Sequence, residues 1–201
     1  MGKNLKNSLS TENFKKLTKS NKKICLDIGC GPSKKDGYVG IDMFDEPNVD
    51  YVMDLEHEKI PLPDKSVDLI YTSHFLEHLS DPGRMIMEFN RLLKEGGKVE
   101  IIVPHYTNPY AYHFTHKTYW SSFTLHQQYI DYYLNTNLVV LSKKINMRFH
   151  PLVDSFFTKI VNFYPNIYER LFAKIIHAWE IEFLLVKDSK RSKNMVNLQL
   201  H

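Results

Sequence analysis

Several short apolar runs in the first half of this chain end on residues suited to binding a ligand. Lys23 to Ile28 leads into Asp27-Ile28-Gly29-Cys30-Gly31, Tyr38 to Ile41 is followed by Asp42, and Asp50 to Met53 by Asp54-Leu55. Glycines after a strand let the backbone pass close to a ligand and adopt angles that other residues avoid. A carboxylate at the next strand end can accept two hydrogen bonds from vicinal ribose hydroxyls. Asp54 beside Leu55 offers one acceptor and one apolar side chain, which suits an adenine. A fourth run, Val67 to Thr72, is followed by Ser73 and His74. Ligands of open α/β sheets bind outside the carboxyl ends of the strands, so three acidic strand ends in a row point to a nucleoside.

The elements that must position these groups follow from apolar spacing. Phe75 to Leu79 begins a helix that Asp81-Pro82-Gly83 interrupts. Arg84 to Leu93 continues as a helix with Met85, Ile86, Phe89, Leu92 and Leu93 on one face, and Gly96-Gly97 reads as its C-cap. Lys98 to Val103 is a fifth strand closed by Pro104. Residues 104–130, rich in Tyr and His, read as a long active-site loop. Val139 to Phe149 suggests a sixth strand, residues 154–177 a helical cover, and Trp179 to Lys187 a final strand. The expected architecture is α/β: a Rossmann-like, twisted, mainly parallel sheet with an antiparallel last strand. Only Pro32 to Gly37 separate Gly31 from Tyr38. A parallel crossover ordinarily needs a dozen or more residues, so the first helix must be truncated to a turn or lost. Asp42 follows Gly29 by 13 positions, where a nicotinamide-binding fold expects about 20.

The segments LDIGCG, GIDM, MDLEHEKIPLPDKSVDLIYTSHFLEHL and EFNRLLKEGGKVEIIVP, in this order, resemble the class I S-adenosylmethionine-dependent methyltransferases, and within them the small type 11 group. The resemblance covers about residues 24–104. It implies S-adenosylmethionine as cofactor, with Asp27, Gly29 and Gly31 lining its methionine end and Asp42 holding the ribose. By the same resemblance Met43 flanks the adenine, Asp54 and Leu55 contact it, and Ser73 and His74 face the methyl-donor region. Ser33 stands where the family's glycine loop usually has a third glycine. The expected reaction moves a methyl group to oxygen or nitrogen of a small-molecule or saccharide-like acceptor. Histidine suits a general base near neutral pH. His105, placed after the fifth strand, is the first candidate, followed by His113 and His116. Tyr106, Tyr110, Tyr112, Tyr119 and Trp120 are expected to build the acceptor pocket. Competing readings are an RNA or protein methyltransferase and a catalytically weak partner subunit with a methyltransferase-like fold.

The stretch His74-Phe75-Leu76-Glu77-His78 matches the HxxEH pattern of inverted zinc proteases. The methyltransferase resemblance already accounts for it, so no metal is expected there. Nor is one expected at His105, His113 and His116, which no carboxylate accompanies before Asp131.

Charge is distributed unevenly. Residues 1–23 carry seven Lys against one Glu, residues 187–201 four basic residues against one Asp, and residues 24–186 are net acidic. The ends, 1–22 and 188–201, therefore read as basic tails (the first with a possible short helix) around a domain at 23–187. Nothing in the acidic body resembles a nucleic-acid footprint, so RNA is not the favoured partner. No apolar run approaches the ~20 residues of a membrane span. Cys25 and Cys30 are the two cysteines and sit in or beside a buried strand. Free thiols and a cytoplasmic location are the expectation.

Overall fold

The computed structural model describes residue 17, residues 23–148 and residues 151–190. The two basic tails fall almost wholly outside the described residues. The strands are β1 (Cys25–Ile28), β2 (Val39–Asp42), β3 (Tyr51–Val52), β4 (Val67–Ser73), β5 (Leu93–Pro104), β6 (Leu138–Asn146) and β7 (Glu180–Lys187). They form one sheet in the order β3-β2-β1-β4-β5-β7-β6. The first five are parallel, and β7 runs antiparallel between β5 and β6. Apolar residues on one face of β1, β4 and β5 (Leu26, Ile28, Ile70, Val99, Ile101), aligned by the strand register, make the centre of the core. In β7 every second residue is buried, Ile181, Phe183 and Leu185 among them, as a strand with one covered face requires.

Helix α1 (Pro82–Leu92) follows β4. Asp81 caps it by accepting the Arg84 N–H at 3.0 Å, and proline stands in its first turn. Met85, Ile86, Phe89 and Leu92 pack on the sheet; emptying the Phe89 position would cost about 3–5 kcal/mol. The expected C-cap at Gly96-Gly97 is not used. The chain turns extended at Leu93 and enters β5 directly, and Gly96, with φ +75°, lies where the β4–β5 register shifts. The buried Lys187 ammonium on β7 donates to the carbonyls of Asn90 and Leu93 instead, so a residue 94 positions away finishes the helix.

No helix joins β1 to β2; residues 29–38 form turns. The stems of two lysines cover the sheet where a helix would lie. Lys35 Nζ sits 3.8 Å from the Tyr71 ring centre and 3.2 Å from Glu100 Oε2, and its backbone N–H donates to Asp27 at 2.7 Å. Lys34 reaches Asp50 at 2.7 Å, passing Gly40 so closely that a Cβ there would meet its Cδ at 2.6 Å. Between β6 and β7 the chain forms α2 (Pro151–Phe163) and a short helical stretch from Pro165 to Phe172. Among the described residues, no helix is long and apolar enough to cross a membrane.

Candidate active site

Because β1 to β5 are parallel and in register, the loops after them emerge along one edge. Gly29 and Gly31 adopt φ of +70° and +51°, conformations that cost other residues strain. The Gly29 N–H donates to Ile41 O at 2.8 Å and the Gly31 N–H to Asp42 Oδ2 at 2.8 Å. The other Asp42 oxygen accepts the Phe44 N–H at 3.0 Å. Each oxygen keeps a further lone pair, so a half-exposed carboxylate that holds the glycine turn can still receive two hydroxyls. Met43 and Phe44, both more than half exposed, stand beside it. The Asp42 carbonyl accepts the Met53 N–H at 2.8 Å, which brings Asp54 to the neighbouring strand end.

Asp54 serves its own turn: Oδ1 accepts the Glu56 N–H and Oδ2 lies 2.9 Å from His57 Nδ1. Leu55 is buried and borders a cavity of about 230 Å³ shared with Leu79, Arg84 and Met85. Asp27 is nearly inaccessible, and burial pushes its carboxyl above the usual range against the pull of the Lys35 N–H. The Cys30 thiol is pushed up to about 12 by burial, helped by the charges of Asp27 and Asp42.

At the end of β4, His74 is held at φ +54°. Its Nε2 is 3.4 Å from Glu180 and its Nδ1 3.4 Å from Glu77; these two carboxylates raise it to about 9. Phe75 drops onto Gly29, and a Cβ at that glycine would lie 2.4 Å from the Phe75 Cβ and Cγ. The β1 and β4 loops thus meet only because residue 29 has no side chain.

The aromatic segment departs from expectation. His105 is fully buried: Nδ1 is 2.7 Å from Thr107 Oγ1, and Nε2 faces Glu169 at 3.3 Å. A proton acceptor must reach its substrate, and the ring of His105 is turned into the interior against Glu169 instead of onto the exposed loop surface. Burial pushes Glu169 up, but His105 and the Ser122 N–H outweigh that and hold it below the ordinary value. Trp120 is likewise buried, pairing through its backbone with residues 105 and 106, and cannot line an acceptor pocket. Tyr110, Tyr112 and Tyr119 are exposed, as is His113. His116 is half-buried, its Nδ1 3.0 Å from the Ala111 carbonyl. Lys117 spans the site, its ammonium 2.8 Å from both oxygens of Glu56, whose carboxyl falls to about 2 through that bond and those from Ser80. The structural roles of Glu169 and Lys117 had no local signal in the sequence, since their partners lie 64 and 61 positions away.

A seven-stranded sheet in this order, with a glycine turn after β1 and an acidic residue ending β2, defines the class I methyltransferase architecture. Residues 26–101 match the sequence model of the family described as Methyltransferase domain. A curated S-adenosylmethionine-dependent methyltransferase of Mycolicibacterium smegmatis is 31% identical over 101 residues, 40% of this chain; the match spans 37% of that relative's length. A crystal structure of such a methyltransferase from Archaeoglobus fulgidus superposes with a TM-score of 0.55 at 20% identity, covering 90% of this chain and 94% of that one. One from Mesorhizobium loti gives 0.54 at 13% identity, covering 87% and 96%. By sheet topology the chain has the fold of the class I methyltransferases, and its residues 26–101 match the Methyltransferase domain family.

The residues present fit the cofactor this class implies. At Gly31 a Cβ would meet nothing within 4 Å, so the turn opens onto free space. The unfilled lone pairs of Asp42 border that space, with the exposed side chain of Met43 alongside.

Proposed function

We propose that this protein binds S-adenosylmethionine across the tips of β1, β2 and β3 and methylates oxygen or nitrogen of a small-molecule or saccharide-like acceptor. The observation that carries the reading is the Gly31–Asp42 pair: a backbone turn open to a ligand, held by a carboxylate that still has acceptor capacity. Asp42 would receive the ribose hydroxyls, Met43 would cover one adenine face, and Gly29 and Gly31 would border the methionine end. Asp54 and Leu55 would approach the adenine, and Ser73 and His74 the methyl-donor region. When bound, S-adenosylmethionine supplies an activated methyl group, so the protein's task is alignment and exclusion of water. Tyr110, Tyr112 and Tyr119 offer flat, half-polar faces of the kind that stack on sugar rings. His113 is the candidate base that an acceptor reaches; its Nδ1 lies 2.9 Å from Thr115 Oγ1, and with Nδ1 donating to that hydroxyl Nε2 would be free to take a substrate proton.

Calorimetric titration with S-adenosylmethionine and S-adenosylhomocysteine tests the first half of the proposal. Saturable binding is expected, weakened about tenfold or more in Asp42→Ala by loss of charge-assisted hydrogen bonds. No heat at millimolar ligand, or full affinity in the variant, overturns it. Methyl transfer from labelled cofactor to a panel of sugar hydroxyls and amines tests the second half.

A further inference from the structure

We propose that Glu77, His78 and His116 form a binding site for one divalent transition-metal ion, with Zn²⁺ as the ion to which they are best suited. One ligand atom from each of the three lies within 4.8 Å of the others. Two imidazoles and a carboxylate are a recurrent donor set for Zn²⁺ and its first-row neighbours.

Two independent observations turn this proximity into a site. Glu77 is 1% exposed; one of its carboxylate oxygens pairs with the His74 ring at 3.4 Å, and neither oxygen is satisfied by a hydrogen bond. Buried carboxylates are ordinarily paired, hydrogen-bonded or bound to metal. In both histidines one ring nitrogen is also engaged by a backbone carbonyl. His78 Nδ1 lies 3.2 Å from the Thr115 carbonyl and His116 Nδ1 3.0 Å from the Ala111 carbonyl. A carbonyl oxygen can only accept, so Nδ1 carries the proton in both rings and Nε2 keeps its lone pair. An imidazole that donates its other N–H to a backbone carbonyl is the usual second contact of a metal-bound histidine. The rings meet edge to face with centres 4.6 Å apart.

The backbone holds the two contributing segments together before any ion arrives. The Glu77 carbonyl accepts the N–H groups of Lys117 and Thr118 at 2.7 and 3.1 Å. An ion here would fasten the aromatic segment to the end of β4. Three protein ligands leave a tetrahedral ion one open position. The site differs from the one the HxxEH spacing suggests. Leu76 to His78 form a single tight turn, so His74 and His78 do not share a helical face, and the second imidazole comes from His116. This assignment makes His116 a ligand, leaves His113 as the candidate base, and does not depend on the methyl-transfer reading.

The test uses the full chain, stripped with a chelator and dialysed. Zn²⁺ is titrated by calorimetry and Co²⁺ by visible absorption. One equivalent is expected to bind, with ligand-field bands of Co²⁺ in nitrogen and oxygen coordination. His78→Gln and His116→Gln should each weaken binding about tenfold or more, while His126→Gln should not. Near-UV circular dichroism checks folding; if Glu77→Gln does not fold, the half-exposed histidine variants decide. Binding well short of one equivalent, or binding unchanged in the His78→Gln, His116→Gln double variant, overturns the site. Metal binding without S-adenosylmethionine binding would sustain it and refute the other proposal.

Discussion

Alanine placed at Gly31 and, separately, at Gly29 should divide ligand recognition from folding. Both residues have positive φ, +51° and +70°, where an L-residue loses roughly 1–2 kcal/mol. At Gly31 the new methyl meets nothing within 4 Å, so that strain is the whole cost to stability. At Gly29 it would lie 2.4 Å from the Cβ and Cγ of Phe75 and 2.6 Å from its Cδ2. The Cβ is fixed to the backbone and cannot swing clear, so the loop after β4 must shift. Overpacking of this kind adds about 1–3 kcal/mol, for a total near 2–5 kcal/mol. Urea unfolding followed by circular dichroism measures both losses, and calorimetry measures affinity for S-adenosylmethionine. Gly31→Ala should lose less than about 2 kcal/mol of stability while binding cofactor about tenfold more weakly or worse, because its methyl projects into the space the ligand would take. Undiminished affinity in Gly31→Ala would refute the placement of the cofactor, and equal stability losses would refute the contrast between the two glycines.

Other outcomes follow from buried groups. His105→Ala should act on folding before catalysis, losing about 1–3 kcal/mol or more because it leaves the buried Glu169 carboxylate without the imidazole that faces it; a stable variant with slow turnover would support His105 as a base. Glu169 has its folded pKa below the ordinary 4.5, so its contribution is present above that pH and is lost as pH falls through the lowered value. The acid limb of a stability profile should therefore flatten in Glu169→Gln. The Cys30 thiol, pushed up to about 12, should react with a disulfide reagent at pH 8 far more slowly than an ordinary cysteine; fast modification would show that the glycine turn is not closed as described. Lys117→Ala should make residues 105–120 more susceptible to limited proteolysis without unfolding the sheet, by releasing the bond to Glu56.

Local pattern was enough to determine the strands, the order of the acidic strand ends and the missing first helix. Each depends on spacing within a few residues: alternation or an apolar run for a strand, a glycine after it, and too little chain between Gly31 and Tyr38 for a helix. That Gly31 turns against Asp42 could be anticipated because parallel strands place their ends together. Tertiary structure decided what happens to side chains whose partners are far away in sequence. His105 looks like a loop residue until Glu169, 64 positions on, is seen to bury it. Gly96-Gly97 look like a helix cap until Lys187 takes that role from β7. The HxxEH spacing suggested a pair that its tight turn cannot make, while the imidazole that does meet Glu77 and His78 comes from position 116. Periodicity reports which face of an element is apolar; it carries no information on which distant polar group arrives to satisfy a buried charge.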